Sequence, residues 1–139
     1  MAAGVDFIQT QMIFDMDIFK QFMAKLVDLG VTEKVHILAG IGPLKSSPMA
    51  RFLNDQIPGI VIPDELLKRM DGAVQGIDEN DKDARRDAWR AEGQNICIEQ
   101  IEQLQEIEGV AGVHIMAIEW EAAIRPIVER AGLFPRPQV

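Results

Sequence analysis

Gln11 has the side chain in this sequence that most demands a partner. It stands in Phe7-Ile8-Gln9-Thr10-Gln11-Met12-Ile13-Phe14, a run otherwise rich in β-branched and aromatic residues. Burying a carboxamide unpaired costs roughly 1–3 kcal/mol, so its oxygen and its NH₂ must both be satisfied. Two kinds of partner are open: the donor–acceptor edge of a ligand, or a neighbouring strand or water.

Other residues have weaker claims. Gly40 and Gly42 would let a ligand or another backbone come close, or would simply form a turn with Pro43. They do not make a dinucleotide fingerprint, because no helix-opening Gly-x-Gly-x-x-Gly is present. His36 and His114 have no second ligand at a metal spacing and read as core or sheet-end histidines. Cys97 reads as a small core residue, and as a single cysteine it excludes an internal disulfide or an all-cysteine metal site. Glu119 is either an acid–base group at a strand end or, the weightier reading, a charge that biases the first turn of the last helix. Asp78-Glu79-Asn80-Asp81 resembles half a calcium loop but lacks its glycine and closing glutamate, so it reads as solvated. No catalytic residue and no metal site is assigned.

Regular elements must position these residues. Phe7 to Phe14 predicts a buried strand. Asp15 offers a helix cap, and Ile18, Phe19, Phe22, Met23, Leu26 and Val27 form a stripe at helical spacing that Gly30 stops. Val35 to Ile41 predicts a second strand covered on both faces, ended by Gly42-Pro43. A short helix is expected from Pro48 to Leu53 with Ser47 as its cap, and another from Pro63-Asp64-Glu65 carrying Leu66, Leu67 and Met70. Asp71 to Lys82 reads as an exposed loop. A long helix from Asp83 to Ile107 follows, with Ala84, Ala88, Ala91, Cys97, Ile101 and Leu104 on its inner stripe. Val113 to Ile118 predicts the third strand, and Ala122 to Ala131 the last helix, with Pro126 in its first turn. The Pro135-Arg136-Pro137 tail cannot continue that helix.

This alternation predicts an α/β fold: three consecutive βα units with parallel strands, forming part of a TIM-type barrel. Closing such a barrel takes about eight strands, so the expectation is a portion of a larger barrel, residues 1–139 forming one domain or a domain fragment. Met1-Ala2-Ala3-Gly4 runs almost at once into Val5-Asp6-Phe7-Ile8, which suits an internal stretch. Open strand edges predict a homo-oligomer, or a missing amino-terminal barrel half. A net charge of −8 argues against nucleic acid as a partner, and no apolar run is long enough to span a membrane. A cytoplasmic protein is the default expectation.

Four segments in register carry a family resemblance. Phe7-Ile8-Gln9-Thr10-Gln11-Met12-Ile13-Phe14-Asp15 resembles the "ITQ-x-x-FD" segment of flavin-dependent methylenetetrahydrofolate reductases. Ile37 to Pro43 is similar to the family's "I-x-PGI-x-P" strand, Val61-Ile62-Pro63 to its "V-x-IP" helix start, and Gly109 to His114 to its "GV-x-G-x-H" lead into the last strand. The resemblance implies the last three strands of an eight-stranded barrel that holds FAD, takes electrons from a nicotinamide cofactor, NAD(P)H, and reduces methylenetetrahydrofolate to methyltetrahydrofolate. It also implies that the general-acid glutamate and most FAD contacts lie on earlier strands. Gln11 matches the glutamine that hydrogen-bonds the folate pterin, Phe14 and Asp15 match "FD", and Met116 and Ile118 match strand-end positions near folate and flavin. Ala39 replaces the usual proline, and Met116-Ala117-Ile118-Glu119-Trp120 replaces Tyr-Thr-Leu-Asn-Arg, which leaves the electron donor open. The expected function is part of the folate-binding wall; the alternative is a non-catalytic half-barrel that self-associates or completes a partner chain.

Overall fold

Three strands, Phe7–Met12 (β1), His36–Ile41 (β2) and Val110–Ile115 (β3), pair in parallel in the order β1-β2-β3. The computed structural model describes residues 4–135; the first three residues of the lead-in, and Arg136 and Pro137 of the expected tail, lie outside it. Between the strands run α1 (Met16–Asp28), α2 (Ser47–Gln56), α3 (Asp64–Gly72) and α4 (Lys82–Gln105). A 3₁₀ turn at Glu121–Ala123 leads into α5 (Ile124–Arg130). This is the α/β alternation the sequence predicts, consistent with part of a βα barrel.

Local chemistry sets the boundaries. Asp15 caps α1 by accepting from Ile18 N at 2.9 Å, and Gly30 follows that helix at φ +65°. The cap of α2 is Ser46 rather than Ser47: the extended Ser46 accepts from Met49 N at 3.2 Å. Ser47 is already helical, and its buried hydroxyl donates to Asp71 instead. Asp81 caps α4 through Ala84 N, so that helix starts at Lys82. Pro126 falls in the first turn of α5, where its missing N–H costs little.

Four further expectations need correction. β3 runs over 110–115 rather than 113–118, because its pairing begins at Ile37↔Val110 directly after the Gly109 turn and ends where β2 ends, at Ile41↔Ile115. β1 stops at Met12 and is buried only there: Phe7 is 57% and Ile8 39% exposed. In α1, Phe19 and Met23 are buried but Ile18 and Phe22 are exposed. The inner stripe of α4 holds for Cys97, Ile101 and Leu104 but fails in its first half, where Ala91 is exposed.

Two apolar clusters position the strand ends. Ile37, Ala39 and Ile41 of β2 pack against Phe19 and Met23 of α1, Cys97, Ile101 and Leu104 of α4, and Ile127 of α5. A second cluster lies at the strands' carboxyl ends, where Met12 and Phe14 meet Leu44, Leu53, Ile62, Leu67, Met70 and Ile96. Each such fully buried side chain contributes about 1.5–3 kcal/mol of transfer free energy.

Candidate functional site at the carboxyl end of β1

The β1–β2 register slips by one residue. Gln9 pairs with Leu38 and Met12 with Gly40, so Thr10 and Gln11 together stand opposite Ala39. Such a β-bulge re-aims side chains and is common beside active sites. Thr10 Oγ1 accepts from Gly40 N at 2.9 Å and donates to Gln11 O at 2.8 Å. Gln11 Oε1 accepts from Met12 N at 2.9 Å. That backbone donor fixes which way the carboxamide faces, because an NH₂ cannot receive it. Gln11 is exposed, and among the described residues its NH₂ finds no acceptor.

The two glycines are explained by packing. A Cβ on Gly40 would stand 2.5 Å from Thr10 O, 2.7 Å from Gln11 O and 2.7 Å from the Met116 methyl. One on Gly42 would stand 2.6 Å from Met116 O and 3.1 Å from Met12 Sδ. Both positions therefore serve close approach by another backbone, as the first of the readings open from sequence allows, rather than only a turn with Pro43.

Gln11 and Phe14 line one apolar groove of about 240 Å³ with Thr10, Ile18, Phe22 and Val61. Phe14 is only 3% exposed and most of its surface belongs to the second cluster. Met116 is half-buried above Gly40, near the main chain of the bulge but outside that groove. Ile118 is 50% exposed beyond the end of β3, so the structure does not bring it to Gln11.

Glu119 does not sit in a helix's first turn, as the sequence reading preferred. It adopts φ +52°, two residues before the 3₁₀ turn, with its carboxylate 3.6 Å from Lys45 Nζ. His36 is exposed at the amino end of β2, and His114 lies opposite Gly40 in register. Among the described residues no three His, Cys, Asp or Glu side chains converge as a metal site would need. Cys97 is fully buried, and burial pushes its thiol up to about 12.

Sequence reasoning missed Gln100. It is 3% exposed on α4, and its Nε2 lies 3.4 Å from both Ile13 O and Phe14 O, strapping the exit of β1 to the helix layer. Its Oε1 is buried without a partner. The signal was available: Gln100 sits three residues after Cys97 and four before Leu104, on the buried stripe. Charged pairs tie the outer helices. Arg69 binds Glu92 at 2.7 Å and Glu99 in two-pronged fashion at 2.6 and 2.9 Å, which holds the Glu99 carboxyl below its ordinary range. The Ser47 hydroxyl, and then Arg51 at 2.5 Å, lower Asp71 likewise.

The described residues do not by themselves fit FAD. Lys45, in the loop after β2, is engaged by Glu119, and Gly40 and Gly42 are filled by neighbouring chain rather than left as a cradle.

A family model described as "Methylenetetrahydrofolate reductase" matches residues 1–132. A Caenorhabditis elegans protein named "Probable methylenetetrahydrofolate reductase (NADPH)" is 26% identical over 95% of this chain and 18% of its own length. "Methylenetetrahydrofolate reductase 2" of Saccharomyces cerevisiae is 31% identical over 96% of this chain and 20% of its own length. The chain thus spans about a fifth of the length of the curated relatives it matches.

Proposed function

The chain belongs to the methylenetetrahydrofolate reductase family, and from that premise we propose that it forms part of the folate-binding wall of a flavin-dependent enzyme that reduces methylenetetrahydrofolate to methyltetrahydrofolate. The observation that carries the reading is Gln11, which by motif resemblance matches the family's pterin-binding glutamine, exposed at the carboxyl end of β1 with its oxygen engaged and, among the described residues, no acceptor at its NH₂. Parallel α/β folds gather ligands at that end of their strands. Gln11 donates to an acceptor on the pterin edge. Phe14 backs the groove wall, while Met116 and Ile118, beyond the end of β3 and outside that groove, enter the reading by resemblance alone.

Most contacts to FAD would fall on earlier strands of the family's barrel, and the electron donor, NADPH in the name of the nematode relative, is left open by the residues that follow β3. The chain's own contribution is to bind and orient the folate. In the complete enzyme, Gln11→Ala is expected to lower folate kcat/KM roughly 5- to 150-fold, the cost of one buried ligand hydrogen-bond pair, while leaving flavin reduction largely unchanged. Unchanged folate kinetics would overturn the assignment.

A second reading, a half-barrel that self-associates, draws on the exposed edge of β1, where Phe7 and Ile8 are 57% and 39% exposed. Light scattering on the isolated chain separates the two. A defined, stable oligomer supports the module, whereas aggregation relieved by the remaining barrel units supports the enzyme wall.

A further inference from the structure

The bulge in β1 contains a residue whose hydroxyl serves two chain segments at once. Thr10 Oγ1 takes the Gly40 N–H at 2.9 Å and gives its own hydrogen to Gln11 O at 2.8 Å. A hydroxyl can accept and donate together; no hydrocarbon of the same shape can do either. Without the bulge, regular pairing onward from Gln9↔Leu38 would put Gln11 opposite Gly40, the place Met12 now holds. A one-residue slip sends each side chain to the other face of the strand. Gln11 would lose the geometry in which Met12 N occupies its oxygen and leaves its NH₂ free. Met12 would leave the buried cluster at the strand ends, where it packs at 5% exposure.

We infer that Thr10 is a positioning residue, its hydroxyl locking the β1 bulge against Gly40 and so aiming the NH₂ of Gln11 at the folate. This rests on the folate reading of Gln11 and goes beyond it, because both hydrogen bonds of the Thr10 hydroxyl go to main chain. Gly40 belongs to the same device. Its missing side chain admits the Thr10 and Gln11 carbonyls, and its N–H supplies the donor that the hydroxyl needs.

The experiment uses the complete holoenzyme. Thr10→Val removes the hydroxyl at nearly constant shape. It is expected to weaken methyltetrahydrofolate binding, read by calorimetry, by about 5- to 30-fold, and to raise the folate KM by a similar factor with less change in kcat. Thr10→Ser is expected to restore both. In a Gln11→Ala background, Thr10→Val should add less than about twofold, because its effect runs through Gln11. Exchange of the Gly40 amide hydrogen reads the lock directly, faster in Thr10→Val and parental in Thr10→Ser. Should Thr10→Val not fold, Thr10→Ala carries the same test. Parental folate binding in Thr10→Val, or a full loss repeated in the Gln11→Ala background, would overturn the positioning role. Parental binding in Gln11→Ala alone would instead overturn the folate reading.

Discussion

Gly93 on α4 lies against Leu44 of the loop after β2 so closely that a Cβ on the glycine would stand 1.8 Å from the Leu44 carbonyl oxygen. Leu44 is 1% exposed and belongs to the cluster that backs the strand ends, so this contact seats the long helix on the loop beside the candidate site. In an exposed helix interior, replacing glycine with alanine gains about 1 kcal/mol of propensity. Here the backbone oxygen cannot yield, and separating helix from loop forfeits packing across both segments. Gly93→Ala should therefore destabilise by about 1–3 kcal/mol despite the propensity gain. A denaturant midpoint equal to or above that of the parent would show that α4 can slide without cost.

Cys97 should be chemically silent in the folded protein. The thiolate is the reactive form, and burial lifts the thiol's pKa to about 12. A thiol-specific reagent at neutral pH should leave it unmodified in native protein and modify it fully in denaturant. Rapid labelling under native conditions would mean that α4 opens locally.

Acid should weaken the ties among the outer helices. Asp71, bonded first by Ser47 and then by Arg51, and Glu99, bonded by Arg69, both titrate below their ordinary range in the folded chain. The unfolded chain therefore takes up these protons more readily, and the stability they confer is complete above the ordinary carboxylate range and lost as pH falls through it toward the lowered folded values. Both side chains are nearly half exposed, at 46% and 47%, so the effect is modest. The Asp71→Asn, Glu99→Gln double variant should be less stable at neutral pH and show a shallower acid limb in urea midpoint against pH. An unchanged limb would place the acid sensitivity elsewhere.

What was legible in the sequence follows from what each signal encodes. Apolar runs with caps at Asp15 and stops at Gly30 and Gly109 encode local hydrogen bonding, so the element order was readable. The end of β3 was not, because it is set by where its partner β2 stops pairing at Ile41, a property of two segments far apart in the chain. β1 looked buried because its composition suits a strand with two neighbours, whereas here it has one. Gln11 stood out as a polar residue in an apolar run. The bulge that orients it depends on Thr10 meeting Gly40 across the sheet, and no pattern within either strand announces that meeting. Gln100 is legible by its spacing on the buried stripe of α4, but a glutamine carries no apolar signal that marks it as buried.

The last prediction concerns which half of the Gln11 carboxamide does the recognising. Its Oε1 accepts from Met12 N at 2.9 Å, so a ligand meets the NH₂. Gln11→Glu keeps an oxygen for Met12 N and loses only that donor, since a carboxylate at neutral pH donates nothing. Stability should therefore stay close to that of the parent. Folate binding should fall at least as far as in Gln11→Ala, on the order of 1–3 kcal/mol, because the carboxylate also repels an electron-rich acceptor. Gln11→Met, similar in length but without either polar group, should lose folate affinity and also some stability, as the Met12 amide loses its partner. Thermal melting of the three variants beside calorimetric titration with methyltetrahydrofolate separates the two halves. If Gln11→Glu binds folate like the parent, the NH₂ is not the contact. If Gln11→Glu melts as low as Gln11→Met, the Met12 bond adds nothing to stability, and the NH₂ serves the fold rather than a ligand.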